Sequence, residues 1–367
     1  MAASSDIDFM RLALNLAEKG RGKTSPNPMV GAVVVSGGKI VGRGYHRAAG
    51  TDHAELSAIR KAAGRSRGAT MYVNLEPCCH TGRTGPCTEA ITDAGISRVV
   101  VAAKDPNPLV NGKGVRALRK AGIRVELGIL RKEARLLNDA YMGYHENKRP
   151  FVTLKLAQTL DGRIATLSGE SKYISSAQSL TYTHLLRAEA DAVIVGLGTV
   201  RADNPTLTVR RVRGNSPYRI VVTASANLPP QAAMLKNNPD QRTIIATTES
   251  SAASRIKSRP RRNLIYWSLK KASGGLIDLG DLLDKADDFG LHSLLVEGGG
   301  RLATSFLKAG LVDKLVIVTA PVIVGRGIDA VGELNIRRLS QALTFQNCRT
   351  FASGPDTVFV GYPRKGA

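Results

Sequence analysis

The feature that most constrains this 367-residue chain is a set of four side chains in two separated segments. His53 and Glu55 stand in His53-Ala54-Glu55; Cys78 and Cys87 stand in the run from Pro77-Cys78-Cys79-His80 to Pro86-Cys87. One histidine and two cysteines can hold a zinc ion and leave its fourth position open to water. Glu55, two residues after the histidine, is placed to move protons at that water. The strand pattern before Cys78 and the helix pattern after Cys87 would aim both sulfurs at one point, so the chain has to layer helices on a sheet around them.

Length argues for two domains, since 367 residues are long for one core. A hydrophobic share of 43% with 22% charged residues fits a folded chain. No apolar run approaches the roughly 20 residues that span a bilayer, and the start, MAASSDIDFM, lacks the basic-then-apolar order of a secretory signal. Cys78, Cys79 and Cys87 crowd into ten residues, which suits a metal site in a reducing, cytoplasmic setting better than a disulfide scaffold. Cys348 lies far off and reads as an inert core or strand residue. The net charge of +22 points to anionic partners, and Arg210-Arg211-Val212-Arg213 could meet a phosphate. A solvated basic surface accounts for the charge equally well.

Apolar spacing predicts a helix over 6–20, then a stiff loop, Thr24-Ser25-Pro26-Asn27-Pro28, with Asn27 at its tip. A hairpin of strands 29–35 and 39–45 turns at Ser36-Gly37-Gly38, and His46 follows. His53 opens a helix. Strand 69–75 leads to Cys78, and a helix runs 87–94. Strand 98–103, helix 114–121, strand 124–127 and one helix over 132–144 complete an alternation that argues for a layered α/β sheet. The boundary falls at the basic junction Asn147-Lys148-Arg149-Pro150, giving domains 1–147 and 148–367. The second domain reads as strand 151–157, helix 177–189, strands near 192–195, 219–223, 243–246 and 263–266, helix 281–288, strand 293–296, helix 302–309, strand 314–319 and a hairpin near 344–361. Stretches 225–262 and 324–340 read as loop-rich.

His-x-Glu followed by Pro-Cys and a second cysteine is the arrangement of zinc deaminases, which usually place the cysteines two residues apart. Here eight residues separate them. A closed site with Cys79 or His80 as fourth ligand is the alternative, but it leaves Glu55 without a task. The second half is less explicit. Gly196-Leu197-Gly198 is an incomplete dinucleotide fingerprint. Glu297-Gly298-Gly299-Gly300 lets backbone N–H groups and a helix N-terminus approach a phosphate, although a plain tight turn explains it too.

The stretches TSPNPMVGAVVV, DHAE, NLEPCCHTGRTGPCTEAI and DPNPLVNGKG resemble the deaminase half of the bifunctional riboflavin-biosynthesis deaminase–reductases. KLAQTLDGRIA, GLGTVRADNPTLTVR and LLVEGGGRLATSFL resemble their reductase half. The resemblance covers most of the chain and implies a cytidine-deaminase-like three-layer α/β/α domain followed by a dihydrofolate-reductase-like α/β domain. It implies zinc-dependent deamination of 2,5-diamino-6-(5-phosphoribosylamino)pyrimidin-4-one, then reduction of the ribosyl group to ribityl with NADPH. The family's zinc ligands fall on His53, Cys78 and Cys87, and its proton-transfer residue on Glu55. Asn27 and His46 match its pyrimidine pocket; His80 and Arg83 match its contacts to the ribose phosphate. Cofactor positions fall on Ala157, Tyr173, Thr199, Asp203, Ser225 and the run Gly299, Gly300, Arg301, Leu302, Ala303, Thr304 and Ser305. Reductase-substrate positions fall on Ser171, Arg187, Leu207, Arg210 and Glu297. Lys155 and Asp203 are polar groups at strand or loop ends that could face the reacting sugar, with Asp203 the candidate proton donor. Arg187 and Arg210 can hold the phosphate through charge-assisted bonds. Tyr173 stands where many relatives have tryptophan, and Arg83 where many have lysine. A homo-oligomer, dimer or tetramer, is expected, with small phosphorylated pyrimidines as partners and neither nucleic acid nor membrane.

The competing reading is a deaminase acting on nucleic acid, motivated by the +22 charge. It needs aromatic stacking surfaces, yet aromatics are only 5% of the chain and the second domain goes unexplained. A non-catalytic, zinc-stabilised binding module is the third reading.

Overall fold

The computed structural model of the chain describes residues 4–81, 85–236, 240, 242–258 and 264–364. It divides into two units, Met1–Lys148 and Arg149–Ala367. Arg83, one of the expected phosphate contacts, lies outside the described residues.

The first unit runs α1 (Ser4–Ala17), β1 (Gly31–Ser36), β2 (Lys39–Tyr45), α2 (Ala54–Ala62), β3 (Thr70–Leu75), α3 (Cys87–Asp93), β4 (Arg98–Ala103), α4 (Lys113–Lys120), β5 (Arg124–Leu127), α5 (Arg131–Leu137) and α6 (Asp139–Asn147). Its sheet has the order β2-β1-β3-β4-β5. The β1–β2 and β1–β3 pairs are antiparallel and the β3–β4 and β4–β5 pairs parallel. Successive strand residues point to opposite faces, so the apolar runs feed two cores. Met71, Val73, Val99 and Val101 pack with Ala54, Ala58, Ile91 and Leu118 of α2, α3 and α4. Tyr72, Val100 and Ala102 pack with Met10, Ala13, Ala134 and Met142 of α1, α5 and α6. The result is the expected three-layer domain.

The single helix expected over 132–144 is a correction. It is two helices that meet at Asn138 (φ −111°, ψ 33°). The Asn138 side chain is buried and engages the backbone of Met29, accepting its N–H at 2.7 Å and donating to its carbonyl at 2.9 Å. The apolar period continues through the break, so the pattern alone reads as one helix.

The second unit contains β6 (Phe151–Thr159), β7 (Arg163–Thr166), α7 (Ala177–Glu189), β8 (Ala192–Gly196), α8 (Leu197–Asp203), β9 (Tyr218–Val222), α9 (Ala233–Lys236), β10 (Thr243–Thr248), α10 (Glu249–Ser258), β11 (Leu264–Leu269), α11 (Leu279–Asp288), β12 (Ser293–Glu297), α12 (Gly300–Lys308), β13 (Lys314–Ala320), β14 (Gly327–Asp329), β15 (Phe345–Ser353) and β16 (Asp356–Pro363). Nine strands form one sheet, β11-β10-β9-β8-β12-β6-β13-β16-β15. It is parallel from β11 to β13, and the closing hairpin adds β16 and β15 antiparallel. One face packs Leu154, Ile194 and Val296 under α11 and α12; the other packs Val193, Val221 and Leu295 under α7 and α9. The stretch 225–262 is less loop-rich than expected, because it holds α9 and α10 besides β10. The pair β7–β14 is a separate two-stranded sheet. Among the described residues, no helix is long and apolar enough to cross a membrane.

Candidate functional site

In the first unit two glycines seat the helix that carries half of the metal site. A Cβ at Gly44 would lie 2.2 Å from the Ala54 carbonyl oxygen, and one at Gly42 2.2 Å from that of Ala58. Only bare backbone lets α2 lie that close on β2. His53 caps α2 in extended conformation, and Glu55 occupies its first turn. Facing them, the turn after β3 is held by Glu76, which sequence reasoning passed over. Its buried carboxylate accepts N–H groups from Asp105, Gly112 and Val115 at 3.2, 3.0 and 3.0 Å. Cys78 follows two residues later, and Cys87 opens α3.

His53 Nδ1 lies 3.2 Å from Cys87 Sγ and 3.5 Å from Cys78 Sγ. All three donor atoms fall within 4.8 Å of one another. A tetrahedral zinc with bonds of about 2.0–2.3 Å holds its ligands roughly 3.5–3.8 Å apart, so the set fits such an ion closely. The Cys78 thiol is drawn down to about 4, first by its hydrogen bond with the Cys87 thiol and then by His53, against the opposing effect of burial. Cys87 is pushed up by that same bond and by burial. Glu55 is buried, and burial, reinforced by the Cys78 charge, raises its carboxyl to about 7. Among the described residues, Glu55 Oε2 and His80 Nδ1 are buried without a hydrogen-bond partner. An unpaired buried carboxylate oxygen two residues from His53 is a polar group left for a water or ligand to satisfy.

Asn27 and His46 join the same site. The Asn27 amide nitrogen is 3.2 Å from His46 Nε2, His46 Nδ1 is 3.2 Å from the Asp52 carbonyl, and the His46 ring stands edge-on to His53 at 5.5 Å. A carbonyl only accepts, so Nδ1 carries the ring proton and Asn27 donates to Nε2. Burial lowers the His46 pKa and keeps the ring neutral. The Asn27 loop is fixed from behind by two buried asparagines that sequence reasoning also missed. Asn74 donates to the Met29 carbonyl at 3.0 Å and accepts the Gly31 N–H at 2.8 Å, beside Asn138.

In the second unit Glu297 ends β12, at the carboxyl edge of the parallel strands where open α/β sheets take ligands, whereas Lys155 lies in the middle of β6 and not at a strand end as expected. Lys155 on β6 and Glu297 on β12 are register partners. Arg187 of α7 closes on Glu297 with two bonds, Nε–Oε1 at 2.6 Å and Nη2–Oε2 at 2.8 Å. Both side chains are nearly enclosed, 13% and 10% exposed. Burial works to raise the Glu297 pKa, but Arg187 and then Lys155 outweigh it and hold the carboxyl below its usual range. Burial depresses the Lys155 ammonium. Arg187 and Arg210 thus have different surroundings: Arg187 is turned inward, whereas Arg210 is exposed and bonded through Nη1 to the hydroxyls of Thr206 and Thr208. Leu207 is buried, with a φ of 55°.

Ser171 donates to Asp203 Oδ1 at 2.7 Å, which brings two expected positions together at the end of α8. Thr199, in the same helix, lies against Gly299, where a Cβ would be 3.0 Å from its Oγ1. Gly298 and Gly299 have φ of 78° and 63°, and α12 starts at Gly300. Within α12, Ala303 is buried and Leu302 packs against the core. Thr304 and Ser305 donate back to the carbonyls of Gly300 and Arg301 at 2.6 and 3.0 Å. The run 299–305 therefore offers a ligand its backbone and the exposed Arg301 rather than a row of side chains. Ala157 lies two residues beyond Lys155 on β6, partly buried. Tyr173 is 76% exposed, and Ser225 is exposed beyond β9.

Residues 3–103 match the family model described as the cytidine and deoxycytidylate deaminase zinc-binding region, and residues 150–359 match the RibD C-terminal domain. The riboflavin biosynthesis protein RibD of Aquifex aeolicus is 45% identical, with 98% of each chain covered. That of Escherichia coli is 38% identical over 96% of this chain and 97% of its own. Two solved structures superpose over 98% of this chain and 99% of theirs at 34% identity. They are Acinetobacter baumannii RibD, with a TM-score of 0.87, and the Thermotoga maritima diaminohydroxyphosphoribosylaminopyrimidine deaminase/5-amino-6-(5-phosphoribosylamino)uracil reductase, with 0.83. Matching both halves in one order along nearly the full length, the chain belongs to the RibD family of bifunctional riboflavin-biosynthesis enzymes, deaminase first and reductase second.

Proposed function

We propose that the first unit hydrolyses the ring amine of 2,5-diamino-6-(5-phosphoribosylamino)pyrimidin-4-one. The second unit then reduces the ribosyl group of the resulting uracil with NADPH. The observation that carries the reading is the convergence of His53, Cys78 and Cys87 beside a buried Glu55 whose Oε2 has no hydrogen-bond partner among the described residues. These three residues would hold one zinc ion, which when bound lowers the pKa of water toward neutrality. Glu55 takes a proton from water and delivers it to the ring nitrogen and then to the departing amine, acting in turn as general base and general acid. Asn27 and His46 orient the pyrimidine edge. His80 and Arg83 are the residues assigned to the ribose phosphate.

In the second unit NADPH supplies the hydride, and the protein's work is positioning. The left-handed glycines and the start of α12, together with Thr199, receive the cofactor phosphates. Ala157, Tyr173 and Ser225 complete its binding surface. Arg210 holds the substrate phosphate, while Glu297, locked by Arg187, faces the sugar beside Lys155. Asp203, which accepts from Ser171, exchanges a proton with the sugar. The same reading includes a cytoplasmic homo-oligomer, a dimer or tetramer, that acts on small phosphorylated pyrimidines.

The test is a coupled assay of zinc-loaded protein with the diaminopyrimidine phosphate, following ammonia release and NADPH oxidation separately. Both signals are expected, ammonia first. Ammonia without NADPH oxidation removes the second half of the reading; absence of ammonia removes the first half, and the second is then tested by supplying the uracil intermediate directly.

A further inference from the structure

Helix α7 carries a buried histidine that the roles above leave unused. His184 is 4% exposed and sits one helical turn before Arg187. Residues three apart on a helix share a face, and these two reach the same neighbour. Arg187 Nη1 donates to the carbonyl of Thr208 at 3.4 Å, and His184 Nδ1 accepts the backbone N–H of Arg210 at 3.0 Å. A backbone N–H can only donate, so this geometry fixes Nδ1 as the lone-pair nitrogen. Both grips fall within the segment Leu207–Arg210, which is neither helix nor strand and contains Leu207 at positive φ. Such a segment does not hold its shape through its own ladder of hydrogen bonds. The only other backbone bond to a side chain within it, among the described residues, is Val209 N–H to Ser216 Oγ at 3.1 Å.

We propose that His184 is a positioning residue of the reductase: by accepting the Arg210 N–H it fixes the backbone from which Arg210 presents its guanidinium to the substrate phosphate. Burial first, then the charges of Arg187 and Arg210, push the His184 imidazolium down to about 4, so the ring keeps its lone pair at ordinary pH. The Arg210 guanidinium is further steered by the hydroxyls of Thr206 and Thr208. His184 thus settles where the arginine starts and the threonines where it ends. Glu297 locks Arg187, so α7 is anchored to the sheet at the same place from which it grips the loop.

The inference rests on the proposed contact between Arg210 and the phosphate, and the experiment separates the two. His184→Ala, His184→Asn, Arg210→Ala and the double variant His184→Ala/Arg210→Ala are compared in the full chain. KM for the phosphoribosylaminouracil, KM for NADPH, kcat and ammonia release are measured for each. One lost hydrogen bond of ordinary strength corresponds to about a tenfold change. His184→Ala is expected to raise the KM for the phosphorylated substrate about tenfold, with kcat and the KM for NADPH within twofold. His184→Asn keeps an acceptor near the Nδ1 position and is expected to recover most of the loss. The double variant is expected to be no worse than Arg210→Ala alone, since both changes act on one contact. If Arg210→Ala leaves KM unchanged, the phosphate assignment itself fails and His184 falls with it. If Arg210→Ala raises KM but His184→Ala does not, only the positioning role is lost. A parallel rise in both KM values that His184→Asn does not rescue marks a general packing role and overturns the proposal.

Discussion

Replacing Glu297 by glutamine tests the organisation of the reductase half most sharply. The substitution keeps shape and removes one charge. Arg187 then stays 13% exposed with a neutral partner in place of a two-bond carboxylate, and Lys155, also buried, loses the nearest anion. Breaking one side of a buried pair costs about 3–5 kcal/mol, because the remaining charge stays uncompensated. For a unit of this size that lowers the melting temperature by roughly 6–20 °C. The chain has one tryptophan, Trp267, which lies in the core of the second unit, so its fluorescence on heating reports that half alone. The pH dependence follows from the depressed Glu297 pKa. Its contribution is present above the unfolded carboxyl range, about 4.5, and is lost as pH falls through the lower folded value. Wild type should therefore lose part of its margin over the variant in acid. Removing both charges of the pair, as in Arg187→Met with Glu297→Leu, should recover part of that loss but stay below wild type, because Lys155 still lacks its anion, while leaving the reductase inactive. A shift below 2 °C in Glu297→Gln would refute the claim that the pair is buried and strong.

Glu55→Gln should retain the metal, by elemental analysis, while ammonia release falls by about 10²–10⁴-fold. Retention of more than about a tenth of turnover contradicts the proton-transfer role. Chelation should abolish ammonia release yet leave NADPH oxidation intact when the uracil intermediate is supplied. Asn138→Ala strands the N–H of Met29 and should destabilise the first unit by about 1–3 kcal/mol in denaturant titrations. Gly44→Ala drives a Cβ to 2.2 Å from the Ala54 carbonyl, so it should weaken zinc affinity measured by competition, without touching a ligand.

The layered alternation of the first unit was legible because its central strands β1, β3 and β4 are buried on both faces. Runs such as Val99-Val100-Val101 stay apolar whichever face they meet. The metal triad was legible because residue type and local spacing define it. What escaped the sequence was whatever depends on a distant polar partner. Asn138 breaks a helix to hold Met29, 109 residues away, and Glu76 collects amides 29 to 39 residues further on. Nothing local announces either bond. Helix α10 escaped because Glu249-Ser250-Ser251-Ala252-Ala253-Ser254 carries no apolar stripe. The pair β7–β14 joins segments of four and three residues, too short for an alternation to register.

The reductase arginines show where residue type stops being informative. As types, Arg187 and Arg210 are equal candidates for a phosphate, and sequence reasoning treated them so. A phosphate dianion needs a cation whose charge is not already answered. Arg187 has its Nε and Nη2 donors on Glu297 and reaches Thr208 with Nη1, so its charge is matched and its geometry fixed. Arg210 bonds only neutral hydroxyls through its guanidinium and lies exposed, which leaves its charge available. On the proposed function the two divide the work: Arg210 would supply the charge, and Arg187 would hold the carboxylate beside Lys155 in the orientation the sugar meets. Exchanging Arg210 for lysine should keep the attraction but lose the planar fork, raising the KM for the phosphorylated substrate moderately. The same exchange at Arg187 breaks a two-bond buried pair and should cost stability as well as turnover. If both lysine variants behave alike in melting temperature and KM, the division of roles is wrong.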